Sequence, residues 1–302
     1  MLTRRPGLVK VRARHVLAAA ALLVSVTLGA TTAAHSAVPR SVDLISPNRL
    51  GGANNPSLPT VMVVGDSIPA ELMNTINMEA KKRNLNLLPV AFGGCSVVGL
   101  YQLDQNNRPL NWSRRCTMAP RVQTQTINTY DPQIVVWYSG REKFTVCTVP
   151  TQDGCSASRI YISGSRAHRA LIEKSMLESV KRLTRKGAKL VIVLPTPRGL
   201  TYSGSCASEP TASGCAQNPH DLAAFAWMEK AYSDLAVTFP MKVKTVTMED
   251  LLCPDFDPTT GCPAAERRGE LVRKDGVHIA PSQAKWFVRN LFNRVQATGL
   301  LR

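Results

Sequence analysis

Acidic residues are scarce in this chain: 21 Asp and Glu face 37 Lys and Arg over 302 residues, leaving a formal charge of +16. A basic balance of this size favours anionic partners such as cell-wall polymers, lipid head groups or acidic glycans. Aromatic residues make up only 6% of the chain. They do not interleave with the basic residues in a stripe, so no nucleic-acid partner is expected. Cys-x-x-Cys pairs and histidines at zinc-finger spacing are missing, which argues against a metal site. Gly-x-Gly-x-x-Gly, Walker A and His-Glu-x-x-His motifs are absent as well, and no cofactor is expected. The Gly-x-Ser-x-Gly elbow of many serine hydrolases is not found. Beyond the N-terminus no apolar run is long enough to cross a membrane.

What is present begins with a secretion-like leader. Arg4, Arg5, Lys10, Arg12 and Arg14 precede an apolar stretch from Val16 to Ala30 and a small-residue run ending at Ala37. The pattern predicts a signal peptide or N-terminal anchor over 1–37, with cleavage after Ala34 or Ala37. Loss of that segment lowers the charge to +11. Residues 38–58, rich in Pro, Ser, Asn and Gly, read as a linker. Residues 59–302 then suit one α/β domain. The eight cysteines fit an oxidising compartment outside the cytoplasm, secreted or attached to the cell envelope. Short intervals favour neighbour pairing: Cys95 with Cys116, Cys147 with Cys155, Cys206 with Cys215, and Cys253 with Cys262.

Strand-like and helix-like segments alternate. Thr60 to Val64, Leu87 to Phe92, Ile134 to Tyr138, Leu190 to Leu194 and Val243 to Val246 are short apolar runs. Between or after them lie helical patterns at Pro69–Arg83, Ala119–Thr129, Arg166–Arg185, Asp221–Leu235 and Pro281–Val295. Apolar strands separated by helices predict a five-stranded parallel sheet in a three-layer α/β/α sandwich. Ligands in such folds bind beyond the carboxyl ends of the strands. Residues 198–219 form a polar Gly/Ser/Cys-rich insertion beside those ends.

Two short motifs leave the strand ends. Gly65-Asp66-Ser67 closes the first strand, and Asp275-Gly276-Val277-His278 precedes the last helix. Of the five histidines, His15 and His35 fall in the leader region. His168 lies on a charged helix, where a solvated role is expected, and His220 beside Asp221 reads as a helix-start residue. That leaves His278, with a carboxylate three residues earlier that can orient its ring. Ser67 is then the candidate nucleophile, although a helix N-cap would also explain it. Asp66 reads as a capping or bracing carboxylate.

This constellation resembles the SGNH, or GDSL, hydrolases. Their first block corresponds to Gly65, Asp66 and Ser67, and their last block to Asp275 and His278. The resemblance implies a flavodoxin-like SGNH fold and a catalytic triad of Ser67, His278 and Asp275. It implies an oxyanion hole from the Ser67 amide and a glycine amide after the second strand, Gly94 with Gly93 as its rival. The third block departs: Ser139-Gly140-Arg141-Glu142 stands where the family commonly carries Gly-x-Asn-Asp. Arg141 is then either the third oxyanion donor or a surface partner of Glu142. The Gly-Cys after the second strand, Cys116 and Trp137 look most like the SGNH domain attached to acyltransferase-3 proteins, which modify cell-surface glycans. The implied activity is that of a serine esterase or O-acyltransferase on acyl, above all acetyl, esters of carbohydrate or cell-wall polymer. A membrane acyltransferase partner is implied too, and a monomer is expected. The alternative is a catalytically weak glycan-binding accessory domain. A lipase would want an exposed apolar surface, and the 198–219 insertion is polar.

Overall fold

The computed structural model describes residues 55–301 apart from 105, 149, 152–153, 200–218, 258–260 and 274. The expected leader, most of the linker, Cys206, Cys215 and most of the polar insertion lie outside the described residues.

Five strands form the central sheet: β1 (Thr60–Gly65), β2 (Asn86–Ala91), β3 (Ile134–Tyr138), β4 (Lys189–Val193) and β5 (Val243–Val246), in the order β5-β4-β3-β1-β2. Every pairing is parallel. The longer helices among the described residues are α1 (Ser67–Lys82), α2 (Ala119–Tyr130), α3 (Arg166–Leu183), α4 (Pro219–Thr238) and α5 (Ala284–Ala297). Side chains alternate across each strand, and the core divides accordingly. Val61 and Val63 pack with Leu72 and Ile76 of α1 and Phe287 and Leu291 of α5. Met62 and Val64 face the other way, onto Val122 of α2, Met176 of α3 and Met228 of α4. This is the expected three-layer sandwich.

Several boundaries differ from the sequence reading, each for a local reason. Helix α1 starts at Ser67, not Pro69, because Asp66 caps it by accepting from the Ile68 amide at 3.0 Å. Ser67 is therefore inside the first turn rather than its cap. Helix α5 starts at Ala284, after a turn containing Pro281. Short antiparallel pieces add what periodicity could not foresee: Tyr101–Gln102, Val146–Cys147 and Ile160–Tyr161 form a small second sheet, and Glu266–Arg267 pairs with Glu270–Leu271. Disulfides join Cys95 to Cys116, Cys147 to Cys155 and Cys253 to Cys262. Among the described residues no helix is long and apolar enough to cross a membrane.

Candidate active site

The end of β1 is shaped by a close approach. A side chain at position 65 would stand 1.9 Å from the Tyr138 carbonyl oxygen and 2.6 Å from Pro69 Cγ. Glycine is needed there for room, not for a left-handed turn. Asp66 follows, buried, with one oxygen on the Ile68 amide and the other 2.9 Å from the Gly140 amide. One carboxylate thus caps α1 and ties it to the loop after β3. Burial pushes its pKa up, against the two amides and the charges of Arg141 and His278.

Ser67 lies half-buried at the start of α1, its hydroxyl 2.8 Å from His278 Nε2. His278 Nδ1 lies 2.5 Å from Asp275 Oδ2. The other oxygen of Asp275 accepts from the amides of Val277 at 2.9 Å and His278 at 2.6 Å. Partial burial raises the Asp275 pKa, but the bonds from the His278 ring and these amides outweigh it, so the net shift is downward. Sequence reasoning missed Glu71, one turn along α1, whose carboxylate stands 3.3 Å from His278 Nε2.

These groups open onto a cavity of about 180 Å³ at the carboxyl ends of β1, β3 and β4. Arg141, Lys143, Phe144, Arg198 and Phe225 line it as well. Arg141 is thus in the cavity, its guanidinium 4.8 Å from the Phe144 ring centroid. Glu142 is no surface partner for it. That carboxylate is fully buried and accepts from the Val97 amide at 2.9 Å and the Ser139 hydroxyl at 2.7 Å, and burial raises its pKa. Neither Gly94 nor Gly93 lines the cavity. Gly94 is buried, and the Trp112 ring, 2.5 Å from where its side chain would begin, covers it and donates to its carbonyl at 3.0 Å. The Cys95–Cys116 bridge holds this loop.

Two histidine expectations change or lapse. His168 is buried, not solvated, with Nε2 2.8 Å from the Phe144 carbonyl oxygen. The His220 side chain lies outside the described residues. Arg273 is structural: its guanidinium donates to the Pro197 carbonyl at 2.7 Å and the Leu252 carbonyl at 2.8 Å, joining the loops after β4 and β5. Among the described residues no group of His, Cys, Asp and Glu has the arrangement of a metal site.

A family profile described as the SGNH domain (fused to AT3 domains) matches residues 33–292. No curated protein matches the chain. The fold is similar to the periplasmic domain of a lipopolysaccharide acetyltransferase from Salmonella ser. Paratyphi A, at 13% identity and a TM-score of 0.48 over 80% of this chain and 85% of that one. It is similar to a GDSL-like lipase from Bacteroides thetaiotaomicron, at 9% identity and a TM-score of 0.47 over 85% and 99%. It also resembles the psychrotrophic esterase EstA from Pseudoalteromonas sp., at 10% identity and a TM-score of 0.44 over 79% and 97%. At such identities these likenesses are of fold alone. Matched by its family profile over most of its length, the chain belongs to the SGNH domain family, an ester hydrolase or acyltransferase class.

Proposed function

We propose that the chain is an exported serine esterase or O-acyltransferase that acts on acyl esters, above all acetyl esters, of cell-surface carbohydrate. Ser67, His278 and Asp275 form its triad. The observation that carries this reading is the continuous chain from Ser67 Oγ to His278 Nε2 at 2.8 Å and from His278 Nδ1 to Asp275 at 2.5 Å. Ser67 Oγ attacks the ester carbonyl carbon while its proton passes to His278 Nε2. Asp275 holds the imidazole by Nδ1 and balances the imidazolium. The tetrahedral oxyanion meets the Ser67 amide at the positive end of α1 and the Arg141 guanidinium on the cavity wall. Gly94, expected as a further donor, does not line the cavity, which favours a larger share for Ser67 and Arg141. Collapse breaks the bond to the alkoxide, which takes the proton from His278. Water or a sugar hydroxyl then attacks the acyl-serine, with His278 again the base. The cavity is smaller than the roughly 300 Å³ at which drug-sized ligands are accommodated, which favours an acetyl-sized group over a fatty chain.

The three disulfides fit an oxidising compartment. Residues 1–37 serve as signal or anchor, 38–58 as linker and 59–302 as the SGNH domain, acting as a monomer. The family description, with its fusion to AT3 domains, supports a membrane acyltransferase as partner.

The test is labelling by a fluorophosphonate probe together with turnover of p-nitrophenyl acetate. The natural chain is expected to label and to turn over ester, Ser67→Ala to do neither, and Asp275→Asn to lose on the order of 10²–10⁴ in rate. Unchanged turnover by Ser67→Ala overturns the proposal. A second reading, the accessory glycan-binding domain, is favoured by Arg141 in place of asparagine. An unlabelled natural serine would select it.

A further inference from the structure

We infer that Glu71 holds the water that resolves the acyl-serine, so that the chain favours hydrolysis over transfer to a lone hydroxyl. Glu71 takes this role only within the esterase or transferase reading of the same site, and it chooses between the two outcomes of that reading.

Two oxygens meet His278 Nε2, the nitrogen through which each proton passes. Ser67 Oγ stands 2.8 Å away and Glu71 Oε1 3.3 Å. Both belong to α1, and Glu71, one turn after Ser67, shares its face of the helix. Asp275 takes Nδ1, which leaves Nε2 for the chemistry. Glu71 is not among the residues that line the cavity, and 59% of its side chain is exposed. It meets Nε2 at the wet edge of the site and leaves the cavity to the acyl group.

As an ion pair at such exposure, the contact adds little to stability. Its weight lies in what it asks for when His278 acts as a base. Unprotonated Nε2 accepts hydrogen bonds, and a carboxylate does nothing else. Two acceptors this close call for a donor between them. In the free enzyme Ser67 gives its hydrogen to Nε2. In the acyl-enzyme Oγ is bonded to the acyl carbon and has none to give. Water fits the pair, because it brings two hydrogens to two acceptors. One passes to Nε2 as the water oxygen bonds to the acyl carbon, and the other stays on that oxygen, held by Glu71. Collapse breaks the bond from the acyl carbon to Oγ, and Oγ takes the proton from Nε2. The products are the free acid and the Ser67 hydroxyl. A lone alcohol hydroxyl has one hydrogen, which His278 must take, so Glu71 gives it no hold.

Partition of the acyl-enzyme is measured on the full chain with p-nitrophenyl acetate in water containing methanol, as the ratio of methyl acetate to acetate formed. Glu71→Met, similar in length but without an oxygen acceptor, is expected to raise that ratio at least about fivefold, the order of one lost hydrogen bond. Glu71→Gln keeps one acceptor and is expected to restore part of the natural ratio. In Glu71→Met, kcat/KM is expected to move less than about twofold, because it reports only the steps up to acylation. A purely structural role, or a general effect of the charge on His278, would move it. A ratio unmoved by Glu71→Met, or a fall in kcat/KM as large as the expected rise in the ratio, overturns the inference. Ester turnover that survives Ser67→Ala sinks the triad and Glu71's role with it. Turnover that needs Ser67 but partitions alike with and without Glu71 sinks the role of Glu71 alone.

Discussion

The ammonium of Lys143 is held 2.8 Å from Asp221 and 3.9 Å above the Phe225 ring, with 5% of its side chain exposed. Burial drives its pKa down from 10.5 to about 8, against the pull of Asp221 and with the push of Arg198 and Arg141. The folded value lies below the unfolded one, so between them the unfolded chain holds more of the proton. Stability therefore rises with pH across the window from about 8 to 10.5. Lys143→Met is expected to stabilise the fold at pH 7 by on the order of 1–3 kcal/mol, and the gain should shrink by pH 10. Urea unfolding at both pH values measures this, and a gain that grows with pH would refute it. A side chain kept at such a cost fits a cavity wall better than a core. The sequence showed Ser67, Asp275 and His278 because only one histidine sat well relative to a carboxylate. It did not show Lys143, whose partner Asp221 is 78 residues away. Nor did it show that His168, flanked by charges along the chain, turns its ring into the core.

Loops rather than strands and helices carry the surprises at the next scale. Apolar runs between polar turns made all five strands legible to within a residue or two, since a parallel strand buried on both faces has a plain signature. The cross-links between loops have no such signature. Glu142 binds the Val97 amide of the loop after β2 and the Ser139 hydroxyl of the loop after β3. Arg182 of α3 reaches the Val97 carbonyl at 3.3 Å, adding a third tie. Glu142→Ala leaves a buried amide and hydroxyl unpaired beside a new void, and is expected to cost on the order of 3 kcal/mol. Glu142→Gln is expected to cost under about 1 kcal/mol, since it keeps one acceptor and offers a donor to Ser139. Denaturant midpoints of the two variants decide it; equal losses would refute the prediction, since glutamine keeps the packing and one acceptor, and would mean that both carboxylate oxygens are needed. The departure from the family's third block is thus two changes. Arg141 turns to the cavity, and Glu142 turns inward to brace it.

Across the whole molecule, the two layers of helix make unequal demands on the ends of the chain. Helices α1 and α5 cover one face together, and Arg83 beyond α1 reaches Asn293 at 2.8 Å. Phe287, Val288, Leu291, Phe292 and Val295 are buried there. At about 1.5–3 kcal/mol each, their burial rivals the 5–15 kcal/mol by which a domain of this kind is stable. A chain stopped after Gln283 is expected to lose both its cooperative unfolding transition and fluorophosphonate labelling; circular dichroism and gel fluorescence check the two. Survival of either would show the sheet standing without its second cover.

The hydroxyl of Ser67 and the ring of His278 touch across 211 positions of sequence. A polypeptide emerging from its amino end releases the first of these 211 residues before the second. In between, the serine is an ordinary alcohol. On the proposed triad, a chain that ends between the two is expected to leave esters untouched, so the contact ties the onset of activity to the arrival of His278.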